Sequence, residues 1–194
     1  GSEMCIRDRE MVGRTPMNIQ AVRPVSEGVI ADYRATIQLL EHIFYDICGV
    51  KRMFKPNVLI SAPSGATDVQ RRAARNAVLE AGAGRAETIE APMAAALGAG
   101  LPIESPGGNL VVDIGGGITD IAVLSVDGIV LSRSLPVGGG KMDDAIVRHV
   151  RNAYNVSIGD RTAEEIKLTI GSAMPLDKEQ EFSVRGRDIV TGLP

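Results

Sequence analysis

Apolar residues recur at helical spacing early in the chain, and compact apolar runs stand between these stretches. Between positions 36 and 48 the apolar side chains fall three or four residues apart, and Gly49 follows where a helix would end. Residues 57–62, NVLISA, lie between two prolines and predict a buried strand. Thr67 or Asp68 is a suitable N-cap for the next helix. This alternation predicts an α/β fold with a layered, parallel sheet.

The middle of the chain has a different pattern. Residues 109–114, 118–126 and 129–135 are three successive strand-like runs. Asp127-Gly128, between the last two runs, is typical of a hairpin turn. Together they predict a three-stranded meander inside an α/β chain, and this combination is unusual enough to be informative.

The last part of the chain predicts one more helix and two strands. Thr162 and Glu165 have the spacing of a capping box, which predicts a helix over residues 163–170. Residues 181–185 and 188–191 alternate apolar and polar side chains and predict strands. The fold class expected from all of these patterns is α/β, with a mixed sheet and flanking helices.

Composition narrows the class of protein. The 194 residues are 44% hydrophobic, with 22 glycines and 10 prolines, and this excludes low-complexity disorder. The net charge of −3 argues against a nucleic-acid partner. Two cysteines give neither a disulfide framework nor a metal-ligand spacing, so a cytoplasmic setting is expected. The longest uncharged apolar stretch, residues 91–103, is too short to span a bilayer.

The candidate chemistry is concentrated in LVVDIGGGITD, residues 110–120. An apolar strand delivers the carboxylate of Asp113 to its end, and a first glycine loop, residues 115–117, follows. Backbone amides without neighbouring Cβ atoms can point at one anion and let it approach closely. These amides, Asp113 for a divalent cation and the Thr119 hydroxyl as a further donor predict a phosphate and metal site. The alternative is a plain hairpin turn with a structural aspartate.

A second glycine run, residues 138–140, lies directly before a helical pattern. The amides and the dipole of a helix start favour a phosphate or its neighbours. Only one predicted hairpin separates this run from the first glycine loop. The sequence therefore predicts that both glycine segments can face the same cleft.

Three segments of the chain carry a resemblance to a known family, namely VVDIGGGITDIAVLSVDGIVLSRSLPVGGGKMDDAI, GRTPMNIQAVRPVSEGVIADY and GDRTAEEIKLTIGSA. They resemble the bacterial rod-shape-determining MreB family. This family belongs to the superfamily of actin, heat-shock chaperones and sugar kinases, and the resemblance covers almost everything from Glu10 to Pro194. It implies an actin-like (ribonuclease H-like) ATPase fold that is incomplete here, with a mixed sheet and flanking helices.

The resemblance also implies a division of the chain into parts of two lobes. The expected parts are a tail or expression remnant at 1–9, a remnant of the first accessory subdomain at 10–33, the core of lobe I at 34–108, the first part of lobe II at 109–160, and the start of the second accessory subdomain at 161–194.

ATP and magnesium are the cofactors that the resemblance implies, and each candidate residue receives a role from it. The residues expected at the metal and the phosphates are Asp113, which would hold magnesium directly or through water, Gly115, Gly116, Gly117, Thr119, Gly138 and Gly139. The residues expected at the adenosine are Glu164, Glu165 and Lys167. Since Glu164 and Lys167 lie three positions apart on one helix face, the alternative for them is an exposed ion pair.

The sequence departs from the family pattern at two places. The family has a glutamate before the proline of PMAAALGAG that orients the attacking water, and this chain has Ala91 there. Glu90, one position earlier, is a weak catalytic candidate because one residue turns a helical side chain by about 100°. The family's first phosphate-binding hairpin and its final glycine motif do not occur in these residues. Impaired hydrolysis and a much reduced affinity for ATP are therefore expected.

A loop between a helix and a strand carries the sequence KRMFKP, residues 51–56. Its two large apolar side chains, Met53 and Phe54, stand among three cations, a combination that suits an anionic membrane surface. The family has a hydrophobic loop that touches the membrane at this place. The alternative is that Phe54 packs against the sheet edge while the cations are solvated.

The expected function follows from the resemblance. It is that of an actin-like cytoskeletal protein that binds ATP and polymerises into filaments at the inner face of the cytoplasmic membrane, organising cell-wall synthesis and rod shape. Expected partners are further copies of the chain, the membrane and the cell-wall synthesis machinery. The alternatives are a sugar kinase or chaperone-type ATPase of the same superfamily, and an inert fragment.

Overall fold

The structure is a computed structural model that describes residues 22–49 and 55–192. The chain divides into two compact units within one helix, between Ala94 and Ala95. The predicted tail and the predicted membrane-contact residues Met53 and Phe54 lie outside the described residues. The elements of the first unit are β1 (Val25–Ser26), β2 (Val29–Ile30), α1 (Tyr33–Cys48), β3 (Asn57–Ala62), α2 (Asp68–Glu80) and β4 (Arg85–Glu90), and α3 (Ala91–Gly98) crosses the division.

A parallel pair of strands forms the centre of the first unit. β3 and β4 pair in register along all six residues of each strand. α2 follows β3, and its Val78 is completely buried in a core that also contains residues of α1, β3 and β4. The buried members of this core are Phe44, Val78, Ala81, Ala83 and Ala86. The layered, parallel arrangement predicted from the alternating pattern is confirmed.

Local hydrogen bonds fix the ends of the helices in the first unit. Asp32 accepts a hydrogen bond from the amide of Ala35 at 2.9 Å, so α1 begins directly after it. Gly49 ends α1 with a φ of 72°, a value that favours glycine. Thr67 and Gln70 form a complete capping box at the start of α2. The predicted helix end at Gly49 and the predicted cap at Thr67 are confirmed.

The second unit begins with an antiparallel sheet of β5, β6 and β7 in that order. Along β6 the even-numbered residues Asp120, Ala122 and Leu124 are buried, and this period of two is that of a strand with one covered face. The predicted meander is therefore confirmed. The elements of the second unit are β5 (Asn109–Ile114), β6 (Thr119–Ser125), β7 (Gly128–Leu135), α4 (Gly139–Tyr154), β8 (Val156–Ser157), α5 (Asp160–Ile170) and β9 (Arg187–Asp188).

The hairpin between β6 and β7 turns one residue earlier than the sequence predicted. Ser125 pairs with Gly128, so the two turn residues are Val126 and Asp127, with φ values of 51° and 58°. Two positive φ values are what a type I′ turn requires. Aspartate tolerates this conformation, whereas a β-branched valine is strained in it. Gly128 is then the first residue of β7 and not part of the turn.

The predicted capping box at Thr162 was wrong. α5 begins at Asp160 with Gly159 as its N-cap and without a side-chain cap, so Thr162 lies inside the first turn. Two buried residues on either side of the actual start explain it, because Ile158, directly before the N-cap, and Ala163 lie in one core cluster. This hydrophobic contact across the helix start outweighs the local capping preference of Thr162.

The predicted strands near the end of the chain were mostly wrong. Of residues 181–191, only β9 has strand geometry, and it pairs with the two residues of β8. Phe182 and Val184 pack against the core of α4 and α5 instead. Their alternating burial therefore reflects packing of an irregular segment and not pairing within a sheet.

Helices alternate with parallel and antiparallel strands, so the predicted α/β class is confirmed. The parallel pair belongs to the first unit and the antiparallel meander to the second, and the two form separate sheets. The division between the two units falls at Ala94 and Ala95, whereas the expected lobe boundary follows residue 108. The boundaries expected from the resemblance stay predictions.

Candidate functional site

The two glycine segments that the sequence singled out are in direct contact. The amide of Gly139 donates to the Gly115 carbonyl at 3.0 Å, and the amide of Gly140 donates to the Gly116 carbonyl at 2.8 Å. The first glycine loop joins β5 to β6, and the second glycine run starts α4. The fold thus brings the strand end and the helix start to one place, as their spacing predicted.

Only glycine fits in the second glycine run at Gly138. A Cβ atom there would lie 2.5 Å from the Gly115 carbonyl oxygen and 2.8 Å from the Gly116 carbonyl carbon. A Cβ atom on Gly116 would meet nothing within 4 Å. The second run is therefore packed backbone against backbone, while Gly116 faces open space.

Two amides of the first glycine loop are free to bind a ligand. The Gly115 amide donates to the Ile118 carbonyl at 2.8 Å, but no oxygen in the described part of the chain accepts from Gly116 or Gly117. A trans peptide group is planar, with its N–H opposite its C=O. Since the carbonyls of Gly115 and Gly116 point to the second glycine run, the N–H groups of Gly116 and Gly117 point away from it. Two neighbouring, unbonded amides are a suitable site for an anion.

The second glycine run offers less to a phosphate than the sequence suggested. Its helix start was expected to provide free amides, but those of Gly139 and Gly140 are bonded to the first glycine loop. The next amide, that of Lys141, donates to the Gly138 carbonyl at 3.0 Å. A place for Gly138 and Gly139 in a nucleotide site stays a prediction, and in this geometry they would act by orienting the first glycine loop.

Thr119 also supports the loops. Its hydroxyl donates a hydrogen bond to the carbonyl of Val137 at 2.7 Å, directly before the second glycine run. A hydroxyl has one proton to donate. While this bond is kept, Thr119 has no donor left for a phosphate oxygen, so its predicted role as a phosphate donor conflicts with the geometry.

Asp113 lies near the end of β5 with its side chain exposed. Directly opposite it on β6 is Asp120, which is only 1% exposed and accepts a hydrogen bond from the hydroxyl of Ser134. No group of three or more metal-binding side chains occurs within residues 22–49 and 55–192. One exposed carboxylate beside an anion site fits magnesium, which is usually held by one or two carboxylates together with phosphate oxygens and water.

The amino group of Lys167 is turned toward the glycine segments. Nζ of Lys167 lies 2.7 Å from Oδ1 of Asp143 on α4 and donates to the Gly139 carbonyl at 3.2 Å. Glu164 is half-buried and Glu165 exposed on the same helix. The expected contact of these three α5 residues with adenosine stays a prediction, but the cation of Lys167 is engaged at the glycine end of the site.

Sequence reasoning missed Asp143 as a part of the site. It stands beside Asp144 in KMDDAI, and nothing local distinguishes the two carboxylates. Only the packing of α4 against α5 separates them, because it leaves Asp143 at 17% exposure against Lys167 and Asp144 exposed. Helical periodicity would place the two about 100° apart, but it does not show which one faces a partner.

Glu90, the weak candidate for a catalytic residue, forms an ion pair. Oε1 of Glu90 accepts from both terminal nitrogens of Arg71, at 3.2 and 3.3 Å. Arg71 also donates to the carbonyls of Ala66 and Ser64, each at 3.1 Å. The pair ties the end of β4 to α2, which gives Glu90 a structural role.

Comparison with solved structures defines the class of fold. The crystal structure of MreB5 of Spiroplasma citri bound to AMPPNP matches with a TM-score of 0.89 and 44% identity, covering 96% of this chain and 56% of that chain. The MamK double helical filament matches with a TM-score of 0.68 and 20% identity, covering 83% and 49%, which is a likeness of fold alone. The chain has an actin-like ATPase fold, as predicted.

Sequence comparison then identifies the family. The family profile described as MreB/Mbl protein matches residues 5–194. Cell shape-determining protein MreB of Escherichia coli (strain K12) is 48% identical over 187 residues, which are 96% of this chain and 54% of that protein. Cell shape-determining protein Mbl of Bacillus subtilis (strain 168) is 46% identical over 187 residues, 96% of this chain and 56% of that protein. The chain belongs to the MreB/Mbl family.

The chain spans about half the length of the curated relatives it matches. The matched part of this chain, residues 5–194, contains the first glycine loop, the second glycine run and the helices α4 and α5. In the part of the chain that the structure describes, no helix combines the length and apolar character that crossing a membrane requires.

Proposed function

We propose that the complete protein, meaning this chain with any sequence that flanks it, is a nucleotide-binding cytoskeletal protein that assembles into filaments and determines cell shape. The observation that carries the proposal is the pair of free amides at Gly116 and Gly117, in the loop that begins two residues after the exposed Asp113. Two solved structures of the related MreB5 are bound to AMPPNP and to ADP. Those ligands are adenine nucleotides, and the amides suit their phosphates.

Each candidate residue has a task under this proposal. The Gly116 and Gly117 amides bind phosphate oxygens, and Asp113 holds magnesium directly or through water. When bound, magnesium would neutralise charge on the phosphates. Glu164 and Glu165 approach the adenosine, while Gly115, Gly138, Gly139 and Thr119 keep the loop in the orientation that binding requires.

Hydrolysis by this protein is proposed to be slow. Ala91 replaces the glutamate that the family uses to orient water, and a methyl group cannot accept a hydrogen bond from a water molecule. The neighbouring Glu90 is bound to Arg71, which stabilises its position at the end of β4. Moving this carboxylate to a water molecule would break an ion pair and leave Arg71 without its charged partner.

Filament formation and membrane attachment complete the proposal. The relatives that this chain matches are cell shape-determining proteins. Copies of the protein would associate at the inner face of the cytoplasmic membrane and organise the cell-wall synthesis machinery there. Met53 and Phe54, among the cations of their loop, would contact the anionic lipid surface.

Calorimetric titration of the complete protein with AMPPNP tests the nucleotide site. Binding in the presence of magnesium that weakens when EDTA removes the metal is the expected result, and the absence of magnesium-dependent binding would refute it. Sedimentation and electron microscopy with ATP and magnesium test assembly. Phosphoryl transfer to a sugar in a coupled kinase assay, with no sedimenting polymer, would favour a sugar kinase instead.

The membrane loop needs its own test. Flotation with liposomes that contain anionic lipid is expected to fall at least severalfold when Met53 and Phe54 are both replaced by serine, because the apolar side chains that insert are lost. A matched control replaces two exposed apolar residues of the described chain, Val190→Ser and Met174→Ser. Equal flotation of the loop variant and the control variant would contradict the assignment.

A further inference from the structure

Lys167 is connected to the free Gly117 amide through two peptide groups. Nζ of Lys167 donates to the Gly139 carbonyl at 3.2 Å. The peptide group between Gly139 and Gly140 also contains the Gly140 amide, which donates to the Gly116 carbonyl at 2.8 Å. The peptide group between Gly116 and Gly117 contains that carbonyl and the Gly117 amide, which has no acceptor among the described residues. A hydrogen-bonded chain thus begins at a cation and ends at a donor that faces open space.

The physics of such a chain favours a stronger donor at its end. Hydrogen-bonded peptide groups polarise one another, with a strengthening of about 10–30% per bond, and a charged donor gives a stronger bond than a neutral one. Direction is transmitted as well, because a planar peptide group that is fixed at its carbonyl is also fixed at its N–H. The cation therefore affects both the strength and the direction of the terminal donor.

Asp143 holds the lysine at the start of this chain. Its Oδ1 lies 2.7 Å from Nζ, and the two side chains are mostly buried, at 17% and 21% exposure. A flexible lysine side chain would otherwise sample many rotamers. The ion pair restricts it to the rotamer in which the ammonium group meets the Gly139 carbonyl.

We propose that Lys167 is a positioning residue for the phosphate-binding loop, held by Asp143, and that it orients and polarises the Gly117 amide through two hydrogen-bonded peptide groups. This inference rests on the proposed nucleotide site. It assigns Lys167 to the phosphate end of the ligand, whereas the family resemblance implied a contact with adenosine.

Comparison of two ligands separates these roles. In the complete protein, Lys167→Met removes the charge and keeps most of the side-chain length. We expect the affinity for AMPPNP with magnesium to fall about fivefold to tenfold, since a charge-assisted bond is lost, and the affinity for adenosine to change by less than about twofold. Equal losses for both ligands would show a direct contact with adenosine and would overturn the proposal.

Two further variants serve as controls. Lys141→Met removes the same charge from the first turn of α4, where the side chain is exposed, and it is expected to change neither affinity by more than about twofold. Lys167→Arg keeps a cationic donor and is expected to restore at least half of the lost phosphate-dependent affinity. If Lys141→Met weakens AMPPNP as much as Lys167→Met does, the effect comes from net charge and the relay is refuted.

A measurement without nucleotide keeps this inference separate from the proposed function. In amide NMR spectra of the nucleotide-free protein, Lys167→Met is expected to move the proton resonances of Gly140 and Gly117 upfield, because both donors are less polarised. Unchanged resonances would overturn the relay even if nucleotide binds normally. If both resonances shift but the unmodified protein binds no nucleotide, the relay is supported and the proposed function fails.

Discussion

The first glycine loop and the second glycine run have the same three-residue sequence and opposite uses of their backbone. In the first, the carbonyls of Gly115 and Gly116 are bonded and two amides are free. In the second, the amides of Gly139 and Gly140 are bonded to those carbonyls. One segment leaves two donors unbonded, and the donors of the other segment hold the first in place.

This difference shows two physical reasons for glycine. At Gly138 the reason is space, because a Cβ would lie 2.5 Å from a carbonyl oxygen although its φ of −158° is open to any residue. At Gly116 nothing within 4 Å excludes a Cβ, so the fold itself does not require glycine there. Under the proposed function, glycine at that position would allow a ligand to approach the backbone closely.

The largest expected effect comes from Gly138→Ala. The added methyl group must push the first glycine loop away, which breaks the two hydrogen bonds between the segments. We expect the free energy of unfolding to fall by about 3 kcal/mol, as for an overpacked core, and nucleotide binding to be lost with it. Urea denaturation of the complete protein, followed by circular dichroism, measures the change in stability.

The control for this substitution is Gly98→Ala in α3. A Cβ there meets nothing within 4 Å, and the unfolding free energy is expected to change by less than about 0.5 kcal/mol. If Gly138→Ala is as harmless as Gly98→Ala, the two glycine segments do not pack as closely as the structure has them.

Gly116→Ala is expected to separate binding from stability. Its methyl group would project into open space beside both free amides, since the Cα of Gly116 lies between them. The affinity for AMPPNP should fall about tenfold or more, while the unfolding free energy stays within about 0.5 kcal/mol. Calorimetric titration and urea denaturation of the same preparation give the two values. An unchanged affinity would show that the ligand does not approach this part of the backbone.

The sequence predicted that the two glycine segments can face one cleft, but not that they are hydrogen-bonded to each other or in which direction. The strand β5, the hairpin and the helix start could all be inferred from apolar period and glycine position, and these elements bring the segments together. The acceptors and donors could not be inferred, because every residue has one amide and one carbonyl. The ion pair of Asp143 with Lys167 depends on how α4 packs against α5, which no local pattern contains.

Two threonines with similar local sequence illustrate the same limit. Thr67 and Gln70 form a capping box, whereas Thr162 and Glu165 have the same spacing and do not. Thr67 lies directly before α2, and its side chain caps the first turn of that helix. At the second place Ile158 and Ala163 are buried in one cluster on either side of the helix start, and the helix begins at Asp160. A capping motif therefore predicts a helix nearby better than it predicts the first residue.

Thr119→Val has the smallest expected effect. It shows whether the Thr119 hydroxyl binds the ligand or stabilises the loop next to the second glycine run. Valine keeps the shape and leaves the Val137 carbonyl without its donor, so the unfolding free energy should fall by about 1 kcal/mol. The affinity for AMPPNP should change by less than about threefold, since the hydroxyl proton is not directed to a phosphate. Thr119→Ser keeps the hydroxyl and should retain the stability that valine loses, apart from the missing methyl group. A tenfold loss of affinity with unchanged stability would instead assign the Thr119 hydroxyl to the phosphate, and the support would then rest on the second glycine run alone.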